Sequence, residues 1–325
     1  MKSNLIFSFF LFSFLSNAQS YPPDFGEQGS TAIPYTSSLF VGWATGIEVV
    51  RGPVNITDLS VTYQGSNMAT SGNPSNALGI ASGASVSLGD GGSAVLTFAW
   101  PIANGQGADF AVFENGFKEL AFVEVSSDGI NFFRFPVHSQ TQTQTQVGTF
   151  GLVESQYLHN LAGKYGSRGT PFDLDEVPDN ALLNKNRITH VKIIDVIGTI
   201  HPDYASYDSY GNIVNDPFPT PFDSCGFDLT GVGVIHENRT MNTDRFFDDN
   251  IVVYPNPADK VLNINLNLND EIVFHIYDLS GRLIFSQQHN SGIATINVSG
   301  LTPGIYLLQI SKKDRNIVTK RFIKR

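Results

Sequence analysis
Cys225 is the one cysteine of the chain, so no internal disulfide framework can staple the fold, even in a compartment that would permit one. Stability must come from a buried core or from bound metal. Helical periodicity is nearly missing, and only residues 155–162 and 181–183 hold enough of it for a turn or two. Signatures of several chemistries are absent as well. There is no His-x-x-x-His and no cysteine pair to suit zinc, no Gly-x-Ser-x-Gly elbow, and no phosphate-binding glycine loop. A nucleophilic Cys225 would need His201 or His236 beside it, and a buried, inert thiol is the simpler reading. Basic residues are scarce where they would matter most: residues 19–250 carry 10 Lys+Arg against 25 Asp+Glu, a formal charge of −15. Such a surface is a poor partner for nucleic acid, whose affinity depends on Lys/Arg displacing counterions, and a reasonable one for divalent cations.

Long apolar runs are also lacking. The longest, residues 5–15, falls short of the roughly 20 residues that cross a bilayer, so no transmembrane helix is expected. It follows Met1-Lys2 and precedes the small residues Ser16-Asn17-Ala18, the pattern of a signal peptide over residues 1–18 with cleavage before Gln19. The residue directly after the cleavage point is Gln19 and not cysteine, which argues against a lipoprotein anchor.

What the chain does have is β structure in short pieces. Apolar runs bounded by Gly, Pro, Asn or Asp predict strands at 93–98, 109–113, 121–126, 131–135, 188–196 and 229–236. Ser127-Asp128-Gly129-Ile130 is a hairpin turn in which Asp-Gly accommodates positive φ. Strands at this density, with 30 glycines, predict an all-β fold whose body, residues 19–240, is a jelly-roll β-sandwich. Residues 241–250, within a polar stretch of little periodicity, read as a linker.

From residue 251 the charge reverses, with 9 Lys+Arg against 5 Asp+Glu. Leu262-Asn263-Ile264-Asn265-Leu266-Asn267-Leu268 alternates aliphatic and asparagine, a half-buried antiparallel strand, and further strands follow at 272–277, 283–287, 305–310 and 317–323. Tyr254-Pro255-Asn256-Pro257, Tyr277-Asp278-Leu279-Ser280-Gly281-Arg282, Leu301-Thr302-Pro303-Gly304-Ile305-Tyr306 and the terminal Lys/Arg pairs together resemble the type A C-terminal sorting domain of the type IX secretion system of Bacteroidetes. That resemblance implies a small immunoglobulin-like β-sandwich over residues 251–325. It also implies export by the type IX secretion machinery, and residence at the outer-membrane surface or beyond.

Two further resemblances concern the body. The stretch from Phe122-Val123-Glu124-Val125-Ser126 through the Asp128-Gly129 turn to Asn131-Phe132 resembles paired strands of the galactose-binding, discoidin-like sandwich. Gly107-Ala108-Asp109-Phe110-Ala111-Val112-Phe113-Glu114-Asn115, Ala162-Gly163-Lys164, Tyr207-Asp208-Ser209-Tyr210-Gly211-Asn212 and Gly226-Phe227-Asp228-Leu229 are similar to blocks of an uncharacterised group of bacterial cell-surface proteins. Relatives tend to have Pro-Asp after an Ala-Leu-Gly run, where this chain has Ile80-Ala81.

The strongest local candidate for metal is the run from Asp208 to Asp216, where Asp208, Asn212 and Asp216 recur four residues apart around Gly211. Calcium takes six to eight hard oxygens from a flexible loop, and the alternative is a turn held by Asx hydrogen bonds. Asp109, Glu114 and Asp195 are further metal candidates, because a carboxylate entering a sandwich strand is costly unless paired or metal-bound. Alternation puts Asp109 and Glu114 on opposite strand faces. Trp43, Trp100, Tyr204, Tyr207, Tyr210, Phe218 and Phe222 lie in or near Gly/Pro-rich loops and are candidates for stacking on a sugar or planar ligand. The leading expectation is a secreted or cell-surface, non-enzymatic binding protein of carbohydrate or adhesion type, stabilised by Ca2+. The alternatives are a nutrient-capture protein, for a corrinoid for example, beside an outer-membrane transporter, and a hydrolase using Asp109, Glu114, Asp195 or Asp228.

Overall fold
In a computed structural model of the protein, residues 20–239, 251–266, 272–289, 292–312 and 315–325 are described. They fall into two compact units, one extending to Asn238 and the other beginning at Arg239. The signal-peptide segment 1–18 and the linker segment 241–250 lie outside the described residues.

The all-β expectation holds in both units. The first contains β1 (Gly42–Val50), β2 (Val86–Ser87), β3 (Ser93–Ile102), β4 (Phe110–Glu114), β5 (Ala121–Ser126), β6 (Phe133–Arg134), β7 (His138–Ser139), β8 (Leu158–His159), β9 (Thr170–Phe172), β10 (Ile188–Asp195) and β11 (Asp228–Val234). Its helical content among the described residues is four short 3-10 turns. Nine strands form one sheet in the order β6-β5-β10-β3-β1-β11-β4-β9, with β2 added to β11. The sheet curls at β1: Gly42 and Trp43 pair with β11, whereas Ala44 and the residues after a register shift pair with β3. A bulge of this kind bends a strand and lets one sheet supply both layers of a sandwich.

The alternation in each strand explains which face turns inward. Leu96, Val123, Val125, Val191 and Ile193 from one layer meet Phe110, Val112, Leu229 and Val232 from the other, all essentially inaccessible to water. Strand β5 is buried on both faces. Its Phe122, with Leu120 just before it, belongs to a second cluster with Val137, Leu158, Val196 and Val214, contributed by loops and the short strand β8. Between β5 and β6, Asp128 accepts the backbone N–H of Ile130 (2.8 Å) and Asn131 (2.8 Å), and Gly129 takes φ +76°, as the Asp-Gly turn predicts.

The second unit contains β12 (Ile251–Tyr254), β13 (Val261–Leu266), β14 (Ile272–Tyr277), β15 (Leu283–His289), β16 (Gly292–Asn297), β17 (Gly304–Lys312) and β18 (Arg315–Lys324). They form sheets in the orders β12-β13-β16 and β15-β14-β17-β18. Leu262 and Ile264 face the core beside Phe274, Ile296, Leu308 and Phe322, the burial that their alternation with asparagine predicts.

Candidate functional site
Strand pairing brings together acids that are far apart in sequence. Glu114 ends β4 and pairs with Leu229 of β11, so Asp228, the first residue of β11, lies beside it. The loop leaving β4 then folds back to present Glu119 before β5 begins. Nearest oxygens of Glu114, Glu119 and Asp228 all lie within 4.8 Å of one another. The loop holding Glu119 is fixed from several sides. Leu120 N–H donates to Asp216 Oδ2 (2.7 Å), Val196 N–H donates to the Leu120 carbonyl (3.0 Å), and Ala121 and Ala162 exchange backbone hydrogen bonds.

The charge in this cluster is only partly answered by protein. Glu114 Oε2 accepts Gly116 N–H at 2.8 Å, but its Oε1 is buried with no hydrogen-bond partner. Asp228 Oδ1 accepts a hydrogen bond from the Ser87 hydroxyl. Among the described residues, no lysine or arginine forms a salt bridge with any of the three acids. Lys118, inside the same loop, pairs instead with Asp24 at 2.6 Å. Burial raises the pKa of Glu114 and Glu119 well above the ordinary glutamate value, and mutual repulsion with Asp228 adds to it. Burial likewise raises Asp228 to about 6, opposed by the Ser87 bond and by the charge of Arg51.

The cluster opens into a cleft of about 280 Å³ whose wall includes Phe117, Phe150 and Phe222 as well as the oxygen-bearing side chains of Asn115, Thr149, Thr220 and Ser224. Phe150 is 73% exposed and lies 6.0 Å, centroid to centroid, from both Phe117 and Phe222. The site therefore combines hard oxygen donors, with no histidine or thiol, and an exposed aromatic rim. The donor set suits calcium or a similarly hard cation and does not suit zinc.

The other acids singled out in the sequence do different work. Asp208 and Asn212 meet, but as a hydrogen-bonded turn. Asp208 accepts from Tyr210 N–H (2.9 Å), Asn212 N–H (2.8 Å), Ser139 N–H (2.9 Å) and Asn212 Nδ2 (3.0 Å), which occupies both of its oxygens with donors. Asp216 does not join them, since it serves Leu120 instead. Asp109 bonds Gly105 N–H (2.7 Å), Leu174 N–H (2.7 Å) and His236 Nδ1 (2.8 Å), and it does not converge with Glu114. Asp195 accepts Phe227 N–H (2.6 Å) and Gly91 N–H (2.9 Å). These four aspartates are loop ties. Of the metal candidates, Glu114 alone is in the cluster.

Of the seven aromatic candidates, Phe222 lines the cleft. Trp43 packs against Phe40 (4.9 Å) and Phe113 (5.5 Å), and Phe218 is buried. Trp100 is exposed on β3, Tyr204 lies beside His201 (5.7 Å), Tyr210 beside His138 (4.7 Å), and Tyr207 donates to the Pro202 carbonyl (3.2 Å). None of these lines the carboxylate cleft. Sequence reasoning missed Glu119, Phe117 and Phe150. A usable signal was present in Glu114-Asn115-Gly116-Phe117-Lys118-Glu119, two acids bracketing a glycine-containing loop with an aromatic at its centre.

Raised acid pKa values make the stability of this unit depend on pH. An acid whose folded-state pKa exceeds its unfolded value favours the fold when protonated. Its contribution is complete below the unfolded value near 3.8 and is lost as pH rises through the folded value near 6. Asp90, also raised to about 6 by burial, behaves alike. Between pH 5 and 7.5 each loses about 1.4 kcal/mol. Melting in EDTA should therefore occur roughly 5–10 °C higher at pH 5 than at pH 7.5. Equal melting temperatures at the two values would show that these carboxyls are not held protonated.

Residues 252–325 match the secretion system C-terminal sorting domain family. A tail of this family marks a secreted or cell-surface protein, and no helix among the described residues is long and apolar enough to cross a membrane. The chain is 28% identical over 88 residues to an endo-acting ulvan lyase of Formosa agariphila, covering 27% of this chain and 17% of the lyase. A biofilm-associated protein BSP domain aligns over 72% of this chain and 48% of its own, at 10% identity and TM-score 0.21. A β-glucuronidase from Ruminococcus gnavus aligns over 72% and 36%, at 10% identity and TM-score 0.20. Likeness at these scores implies neither a shared fold nor a shared activity. The chain spans less than a fifth of the curated relative and less than half of the solved chains.

Proposed function
We propose that residues 19–240 form a surface binding module that holds a calcium ion on Glu114, Glu119 and Asp228 and takes a carbohydrate against Phe117, Phe150 and Phe222. One observation carries this reading: the buried Glu114 and Glu119 and the half-buried Asp228 converge at a cleft with an aromatic rim, with no salt bridge to a lysine or arginine among the described residues. Clustered carboxylates must either hold protons or bind a cation, and outside the cell calcium is abundant. The cleft's polar wall supplies further oxygens toward the six to eight that calcium takes. Sugar rings offer an apolar face to exposed aromatic side chains and hydroxyls to a bound cation. The sorting tail supports the location, since it delivers the module to the cell surface or beyond.

A two-carboxylate glycosidase fits less well. Such enzymes hold their carboxyls about 5–5.5 Å apart, or about 6.5–9.5 Å with a water between. Here three carboxylates gather in place of a facing pair, with one oxygen of each within 4.8 Å of the others, an arrangement suited to one shared ion. A cleft of about 280 Å³ is also too small to enclose a corrinoid macrocycle.

A glycan array probed with and without calcium tests the reading, with Phe150→Ala as control. Because Phe150 is 73% exposed, its loss should leave the melting temperature unchanged. Glycan affinity should fall roughly 5–100-fold, in line with about 1–3 kcal/mol for a stacked aromatic. Calcium-independent binding, or binding indifferent to Phe150, would count against the assignment of the cleft.

A further inference from the structure
Lys118 stands between Phe117 and Glu119, both of which line the carboxylate cleft, yet it does not line that cleft itself. Its ammonium is held elsewhere. It donates to Asp24 Oδ1 (2.6 Å), to the Val153 carbonyl (3.2 Å) and to the Ser155 hydroxyl (3.4 Å), which engages all three of its donors. Ser155 Oγ also lies 2.6 Å from the same Asp24 oxygen.

The loop between β4 and β5 has few fixed points of its own. Gly116 N–H donates to Glu114 Oε2 (2.8 Å) and Glu119 N–H to the Phe117 carbonyl (2.9 Å), bonds that close on neighbouring residues. The Lys118 ammonium, by contrast, ties the stretch to other segments. Asp24 belongs to the segment ahead of β1, and that segment is attached to the body on both sides of it. Tyr21 N–H donates to the Gln156 carbonyl (2.9 Å), and Ile33 and Gly169 exchange backbone hydrogen bonds (3.0 and 2.8 Å). Asp24 is thus an anchored partner, and an anchored partner confines the ammonium and the backbone that carries it.

We propose that Asp24 and Lys118 are positioning residues for the carboxylate cleft: their ion pair sets where the adjoining Glu119 carboxylate and Phe117 ring stand, and through Glu119 the affinity for calcium. The inference rests on the calcium reading of the cleft. Charge alone makes a different prediction for one of the two residues. Removing the Lys118 ammonium would relieve its repulsion of a bound cation and tighten calcium, whereas removing Asp24 would weaken it. Loss of positioning weakens calcium in both cases, because supporting contacts hold a metal ligand in its productive geometry.

Calcium titration by calorimetry, on the EDTA-stripped full chain, compares wild type with Asp24→Ala, Asp24→Asn, Lys118→Met and the Asp24→Ala/Lys118→Met double variant. Asp24→Ala and Lys118→Met should each weaken calcium about 3–10-fold, and the double variant no more than the weaker single one, since either change breaks the same tie. Asp24→Asn keeps an acceptor for the ammonium and should stay within about threefold of wild type. The Asp24 side chain is 38% exposed, so Asp24→Ala folds and keeps the test decisive if Lys118→Met does not. Unaltered affinity in Asp24→Ala, tighter binding in Lys118→Met, no recovery in Asp24→Asn, or losses that multiply in the double variant would overturn the proposal and leave the calcium site standing. An absence of calcium binding to the wild-type chain would remove the proposal together with the reading on which it rests.

Discussion
Glu119→Gln is expected to raise the melting temperature of the calcium-free protein at pH 7.5 while removing its response to calcium. Replacement of a surface acid seldom changes stability by more than a few tenths of a kcal/mol. Glu119 is different, because it is 7% exposed, makes no side-chain hydrogen bond among the described residues and sits among like charges. Glutamine keeps the shape and removes the charge. Relief of about 1–3 kcal/mol is expected, which for a domain of this size is roughly 2–10 °C. In the wild-type protein, calcium at 100 times its Kd should add about 2.7 kcal/mol, a gain of roughly 5–10 °C. In the variant that gain should vanish, because one of three carboxylate ligands is gone. Differential scanning fluorimetry of both proteins, in EDTA and in calcium, gives all four values. If Glu119→Gln destabilised the calcium-free protein, the view of this cluster as uncompensated charge would be wrong.

Gly163→Ala should be among the most damaging single-methyl additions in the first unit. Gly163 has φ +83°, and a Cβ built there would lie 1.8 Å from the Glu119 carbonyl oxygen and 2.9 Å from the Phe227 ring. A side chain in left-handed conformation costs about 1–3 kcal/mol, and overpacking adds about 1–3 more. The combined loss, roughly 2–5 kcal/mol, predicts a fall of about 5–15 °C in melting temperature. Backbone displacement would also move Glu119, so calcium stabilisation should weaken along with the fold. Chemical denaturation of the variant checks the first effect, and calcium titration of its folded fraction checks the second. A melting temperature within about 1 °C of wild type would mean that the 119–121 loop is not held against Gly163.

Six predicted strands of the body match β3, β4, β5, β6, β10 and β11, since each carries its own alternation or apolar run between turn residues. Strand β1 was illegible: its Gly42-Trp43-Ala44-Thr45-Gly46 start has little apolar alternation, and the strand exists because it bridges two layers. The site was half legible. Glu114 and Asp228 were marked by the cost of an acid at a strand end, but their meeting depends on the β4–β11 register, which links residues over a hundred positions apart. Glu119 and Phe150 lie in loops, where periodicity carries no information. Asp109, Asp195, Asp208 and Asp216 gave the same sequence signal as metal ligands. A short acid in a loop-rich β protein also satisfies backbone N–H groups, and the structure assigns them to that task.

Direct calcium titration by calorimetry, on EDTA-stripped full chain and on Glu119→Gln, tests the central claim most closely. One calcium ion per chain should bind to the wild-type protein, with affinity falling as pH drops toward 5 and the carboxyls take up protons. Binding should be lost, or weakened at least about tenfold, in the variant. An absence of calcium binding up to about 10 mM, or the same stoichiometry and affinity in Glu119→Gln, would contradict the account.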